Sequence, residues 1–164
     1  MTGGPNLDSP DFDEPRERDG FRCRRARIGR QAGSERLGAS LWALPPGQAA
    51  YPYHWHYQEE ELLVVLEGAP TLRTADGRRR LERGEVVSFP TGEAGGHQVL
   101  NDTEEEVRFL ALSTQGEADL VMYPDSGKLG VFERLPQGGG LYKLFRLEDA
   151  VDYWEGEQPP SAPG

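Results

Sequence analysis

What most limits the fold of this chain is how short its apolar segments are. They read GASLWAL, ELLVVL, PTLRT, EVVSF, HQVL, VRFLALST and DLVMY, none exceeds eight residues, and turn signals such as Pro45-Pro46-Gly47, Asp76-Gly77 and Thr91-Gly92 fall between them. Segments of this length match strands and are too short for helices that bury a face, so the chain reads as an all-β sandwich or barrel. In VRFLALST, Val107, Phe109 and Ala111 alternate with Arg108, Leu110 and Leu112, the period of a strand with one face more apolar than the other. ELLVVL does not alternate. An unbroken apolar strand expects cover on both faces, which in a barrel wall means a further sheet or a second subunit outside it. One helix is expected late, in LEDAVDYWEG, with acidic residues in its first turn and Gly156 as its stop.

A chain of 164 residues has room for one well-buried core and is short for two. The polar stretches 1–20 and 158–164 are rich in Pro, Gly, Asp, Glu and Ser, and read as flexible tails around a single domain at 21–157. A net charge of -10 repels the phosphate backbone, and the basic run Arg78-Arg79-Arg80 is short and lacks interleaved aromatics, so nucleic acid is not an expected partner. No apolar stretch approaches the roughly 20 residues of a bilayer span, and the acidic N-terminus lacks a signal-peptide core; a cytoplasmic protein with no membrane partner is expected. Cys23 is the single cysteine, which excludes an intrachain disulfide and fits a reducing compartment. Asn101-Asp102-Thr103 matches a glycosylation acceptor, a signal without consequence inside a cell.

The chain has three histidines, and two of them stand one residue apart in YPYHWHYQEEE. On an extended strand His54 and His56 point to the same face and Trp55 to the other, so two imidazoles converge without a loop. Glu61 follows at the start of ELLVVL, where an inward carboxylate needs a cation or hydrogen bonds to offset its desolvation. His97 opens HQVL after the breaker-rich stretch FPTGEAGG and can return on a neighbouring strand, which completes a set of three nitrogens and one oxygen.

The spacing of these residues carries a resemblance. Gly47 to Gly68 reads G, six residues, H-x-H, four residues, E, six residues, G; Gly84 to Asn101 reads G, five residues, P-x-G, four residues, H, three residues, N. The two stretches, fifteen residues apart, resemble the paired motifs of the cupin superfamily, in the manner of its small single-domain members, and the likeness covers about residues 38–113. The first motif here is one residue longer than usual before its histidines, and Gly95-Gly96 lengthens the second by two. The resemblance implies an antiparallel jelly-roll β-barrel, a homodimer formed through an outer sheet face, and a metal held by His54, His56, Glu61 and His97. Its six-residue interval to Gly68 favours Glu61 over Glu60 as the carboxylate ligand. Gly68 and Gly84 would lie in turns, Pro90-x-Gly92 at a corner, and Asn101 against local backbone groups.

Such a ligand set implies one divalent transition metal ion per subunit, with zinc, iron, manganese, nickel and copper all compatible. Three neutral imidazoles and a carboxylate leave a net charge near plus one, and an octahedral ion keeps two positions for a substrate. The implied activities are those of a dioxygenase, a decarboxylase or an isomerase acting on a small organic acid, sugar or aromatic compound. A non-catalytic barrel that binds or senses a small molecule is the alternative. The sequence assigns no catalytic residue. Tyr51, Tyr53 and Trp55 flank the histidines at a spacing that packing also produces, and the strand period leaves open whether Arg73 faces inward. PDSGKLG lacks the pattern of a phosphate loop and reads as a turn, Gly138-Gly139-Gly140 as a loop before LYKLFR, and Glu104-Glu105-Glu106 as a solvated turn.

Overall fold

The computed structural model describes residues 4–135 and 139–159. Its strands are β1 (Glu14–Arg16), β2 (Cys23–Ala26), β3 (Leu37–Leu44), β4 (Trp55–His56), β5 (Glu61–Glu67), β6 (Thr71–Thr74) and β7 (Gly77–Arg80). They continue with β8 (Val86–Phe89), β9 (Gln98–Leu100), β10 (Val107–Thr114), β11 (Ala118–Tyr123), β12 (Lys128–Glu133) and β13 (Tyr142–Arg146), and a single helical turn, α1 (Ile28–Gln31), follows β2. The turn signals fall between these strands, and every strand pair is antiparallel.

One layer is a six-stranded sheet in the order β1-β2-β3-β10-β5-β8. The other is built from a three-stranded sheet, β7-β6-β9, and a four-stranded sheet, β13-β12-β11-β4. The segment that carries the histidine pair joins those two: Ala49 bridges Leu100, His54 bridges His97 across to β9, and Trp55 and His56 pair with Met122 and Val121 of β11. The core lies between the layers, where Trp42, Leu63, Val65, Val107 and Phe109 meet Leu72, Leu81 and Val99. Among the described residues no strand pair connects an edge of the six-stranded sheet to the second layer. The expected jelly-roll barrel is therefore an open, two-layered one, and a cavity occupies the space between its layers.

The alternation of VRFLALST holds: Val107 and Phe109 are fully buried, while Arg108, Leu110 and Leu112 are half-buried on the outer face. ELLVVL does not have two fully covered faces. Leu63 and Val65 enter the core, and Leu62, Val64 and Leu66 stay half-buried outside, opposite Leu110 and Leu112 of β10. Gly68 closes β5 with φ +73, where a Cβ would stand 2.7 Å from Val107 Cγ1, so the turn needs glycine for its backbone and for the space. Asn101 is buried and donates from Nδ2 to the carbonyls of Leu44 and Glu105, which ties down the acidic turn at 104–106.

Two expectations about the ends of the chain change. Stretch 1–20, read as a flexible tail, contributes β1, whose residues Glu14, Pro15 and Arg16 pair with Arg25, Arg24 and Cys23. The segment is held by ion pairs of Asp13 and Glu14 with Arg27 and Arg25 rather than by apolar groups, which hid it from a reading based on hydrophobic pattern. LEDAVDYWEG forms one 3-10 turn, Leu147–Asp149, and not an α-helix. Its Val151, Tyr153 and Trp154 are exposed, so no core surface exists to stabilise a helix too short to persist on propensity alone. Residues 1–3 and 160–164 of the expected tails, and Gly138 of the glycine loop, lie outside the described residues. No helix among the described residues is long and apolar enough to cross a membrane.

Candidate metal centre

The strand register brings all three histidines together. His54 and His97 face each other across an antiparallel bridge, and the His54 ring lies 5.0 Å from that of His56 and 4.9 Å from that of His97, measured between centroids. Glu61, the first residue of β5, reaches into this cluster from the six-stranded sheet. Its Oε2 is 3.4 Å from Nε2 of His56 and 3.4 Å from Nε2 of His97. Ligand atoms of His54, His56 and Glu61 all lie within 4.8 Å of one another. Glu60, the alternative carboxylate, is exposed and faces the groove on the outer side of the sheet.

Each imidazole is oriented through its other nitrogen. Nδ1 of His54 contacts the Pro52 carbonyl at 3.0 Å, Nδ1 of His97 contacts the Gly95 carbonyl at 2.9 Å, and Nδ1 of His56 contacts Asp119 Oδ2 at 2.5 Å. Carbonyl oxygens accept and never donate, so Nδ1 of His54 and of His97 carries the proton and Nε2 presents a lone pair. Burial pulls His54 well below the ordinary imidazole range, with the neighbouring His97 and His56 adding to it, and pulls His97 down to about 4. Both rings are thus neutral at physiological pH. For His56, burial pulls downward and is outweighed by the Asp119 hydrogen bond and the Glu61 charge, leaving it above the ordinary range. Burial raises Glu61, partly countered by His56.

The consequence is an unmet demand. His56 Nε2 and Glu61 Oε2 are buried polar atoms without hydrogen-bond partners among the described residues, and they face each other. A metal ion bound between them would satisfy both atoms. The donor set, imidazole nitrogens with one carboxylate oxygen and outer hydrogen bonds that fix each ring, fits a divalent first-row metal.

Asp119 was not legible as part of the site. It lies on β11 with a fully buried side chain, accepts from the Gln58 backbone N–H through Oδ1, and holds His56 through Oδ2. The signal was present in ADLVMY, where a carboxylate occupies the same strand face as the buried Val121. The strand period left open whether Arg73 faces inward. In the structure it pairs with Asp125 at 2.6 Å and lies over the Tyr53 ring, outside the cavity. Tyr51, in contrast, lines the cavity with its ring edge-on to His54 and His97. Burial, and then the Glu61 charge, holds its hydroxyl well above the ordinary phenol range. Trp55 points to the opposite strand face and packs on Tyr57.

The cavity beside the histidines has a volume of about 800 Å³ and is lined by groups of both signs, including Glu59, Glu61, Arg16, Arg25 and Arg134. Glu59 is buried and paired with Arg134. The fold is thus an open two-layered β-barrel with an inward histidine–carboxylate cluster, one that could hold a metal ion, at one cavity. Residues 40–113 match the cupin-domain family model. Two crystal structures are similar to the fold over most of the chain. A protein from Acidithiobacillus ferrooxidans, described provisionally as a sugar phosphate isomerase, is 27% identical with a TM-score of 0.73 over 81% of each chain. A sugar phosphate isomerase of the cupin superfamily from Silicibacter pomeroyi is 26% identical with a TM-score of 0.71 over 80% of each chain. No curated protein matches the sequence at a significant level.

Proposed function

We propose that the protein is a metal-dependent isomerase that acts on a small sugar-type substrate, with the metal held by His54, His56, His97 and Glu61. The observation that carries this reading is the pair of orphaned atoms, His56 Nε2 and Glu61 Oε2, turned toward each other beside a cavity large enough for a small molecule. The two structural relatives described as sugar phosphate isomerases support the choice of reaction over dioxygenation or decarboxylation. A bound ion supplies Lewis-acid polarisation of a substrate carbonyl or hydroxyl. The protein's own groups do the rest. Asp119 and the Pro52 and Gly95 carbonyls hold the imidazoles in register. Tyr51 stays neutral and offers a hydroxyl donor on the cavity wall. Glu59, raised by burial and lining the same cavity, is the carboxyl group placed to move a proton.

The test is proton NMR of aldose and ketose phosphates in deuterated buffer, with protein stripped of metal and then reloaded with manganese, iron, nickel, copper or zinc. Metal-dependent interconversion that is lost in the His54→Ala/His56→Ala variant is the expected result. Ligands that raise the melting temperature of the loaded protein but are never altered would replace this reading with the non-catalytic binding barrel.

A further inference from the structure

Five arginines line the cavity: Arg16, Arg25, Arg27, Arg30 and Arg134. Three have carboxylate partners, since Arg25 pairs with Glu14 at 3.1 Å, Arg27 with Asp13 at 3.3 Å, and Arg134 with Glu59. Arg30 is exposed at the rim. Arg16 differs from all of them. It is half-buried, has no carboxylate within ion-pair distance among the described residues, and donates from Nη1 to the Ala50 carbonyl at 2.9 Å. Its charge is therefore uncompensated inside the cavity.

Arg16 and Arg25 share one platform. Their guanidinium carbons lie 5.6 Å and 5.0 Å from the Trp42 ring centroid, so two like charges are held on a single indole. Burial pulls Arg25 below the ordinary range, the Glu14 charge opposes that, and the Arg16 charge adds to it. Arg25 is already committed to Glu14 and to the Ser40 hydroxyl, so of the two it is Arg16 whose guanidinium is left for an anion in the cavity. The platform adjoins the metal centre, because Trp42 meets Tyr51 edge-on at 5.6 Å and Tyr51 meets His54 at 4.9 Å. Anything held at Arg16 shares the cavity with the histidine cluster.

Resting on the reading of this cavity as the substrate site, we propose that Arg16, with Arg25 beside it on Trp42, is the seat of a phosphate ester on the substrate. The β1 strand then has a functional reason: it carries Arg16 from the six-stranded sheet across to the segment at Ala50 that leads to the histidines. Arg16 sets specificity, and the metal centre sets the reaction.

Isothermal titration of the folded full-length chain tests this with inorganic phosphate, fructose 6-phosphate, fructose and gluconate. The parent is expected to bind fructose 6-phosphate at least tenfold tighter than fructose, and to bind inorganic phosphate. Arg16→Gln abolishes both without changing metal content, Arg16→Lys keeps part of each, and Arg73→Ala, outside the cavity, changes neither. The preference persists in the His54→Ala/His56→Ala variant, which removes the metal ligands but not the guanidiniums; failure of the metal reading and failure of this one are thus separate results. Equal binding of fructose and fructose 6-phosphate by the parent, an unchanged preference in folded Arg16→Gln, or tighter binding of gluconate than of fructose 6-phosphate would each overturn the proposal.

Discussion

Replacing Asp119 by asparagine changes one atom's chemistry at a position that touches no substrate. The parent carboxylate accepts two hydrogen bonds, from the Gln58 N–H at 3.2 Å and from His56 Nδ1 at 2.5 Å. An asparagine offers one acceptor and one N–H₂ group, so in either orientation one of these donors faces another donor. The side chain is fully buried, and no solvent can take up the difference. Leaving one buried donor unpaired costs about 1–3 kcal/mol of stability. If the amide nitrogen faces His56, the ring is pushed to the other tautomer and Nε2 acquires the proton that blocks ligation. Outer-shell partners of this kind change metal affinity by roughly tenfold to a hundredfold. In free energy that is about 1.4–2.7 kcal/mol, similar in size to the stability loss but read in a different assay. Metal titration against a competing chelator, together with urea unfolding of the stripped protein, separates the two. A folded Asp119→Asn protein that binds metal as tightly as the parent would refute the role assigned to Asp119.

Three further outcomes follow from the same structure. His97 titrates near 4 when folded against an ordinary 6.5, so the unfolded chain binds the extra proton first and the folded state loses stability as pH falls through that window. Stripped parent should lose about 3 kcal/mol relative to His97→Gln between pH 7 and pH 4, a comparison that cancels the opposing effect of the buried carboxyls; parallel urea profiles for the two would contradict it. Gly68→Ala forces an L-residue into φ +73 and a methyl against the fully buried Val107, and should cost about 2–4 kcal/mol in urea unfolding, with a loss under 0.5 kcal/mol counting against that packing. A homodimer is the assembly proposed to cover the exposed Tyr142, Leu144 and Phe145 of β13 and the half-buried outer face of β5; light scattering should give twice the chain mass, and a monomer at all concentrations would remove it.

The histidine cluster was legible because a strand has a fixed period. His54 and His56 share a face for geometric reasons, and an inward carboxylate at Glu61 needs a cation or hydrogen bonds to offset its desolvation. The core strands were legible for the same reason, Val107 and Phe109 being distinguishable from Arg108 and Leu110 by alternation alone. What escaped were groups whose place depends on long-range pairing. Arg16 and Asp119 stand 38 residues before His54 and 63 residues after His56. Only the sheet order, β1 against β2 and β11 against β4, brings them to the cavity. The N-terminal strand was invisible to a hydrophobic criterion because ion pairs hold it, and the helix expected in LEDAVDYWEG failed because local propensity had no surface to pack against.

The central claim is that His54, His56, Glu61 and His97 hold a metal ion, and elemental analysis of protein purified without added metal tests it most directly. The account predicts close to one equivalent of a first-row metal per chain in the parent and none in the His54→Ala/His56→Ala variant purified alongside. A parent that carries no metal, and takes up none after incubation with iron, manganese, nickel, copper or zinc, would contradict it.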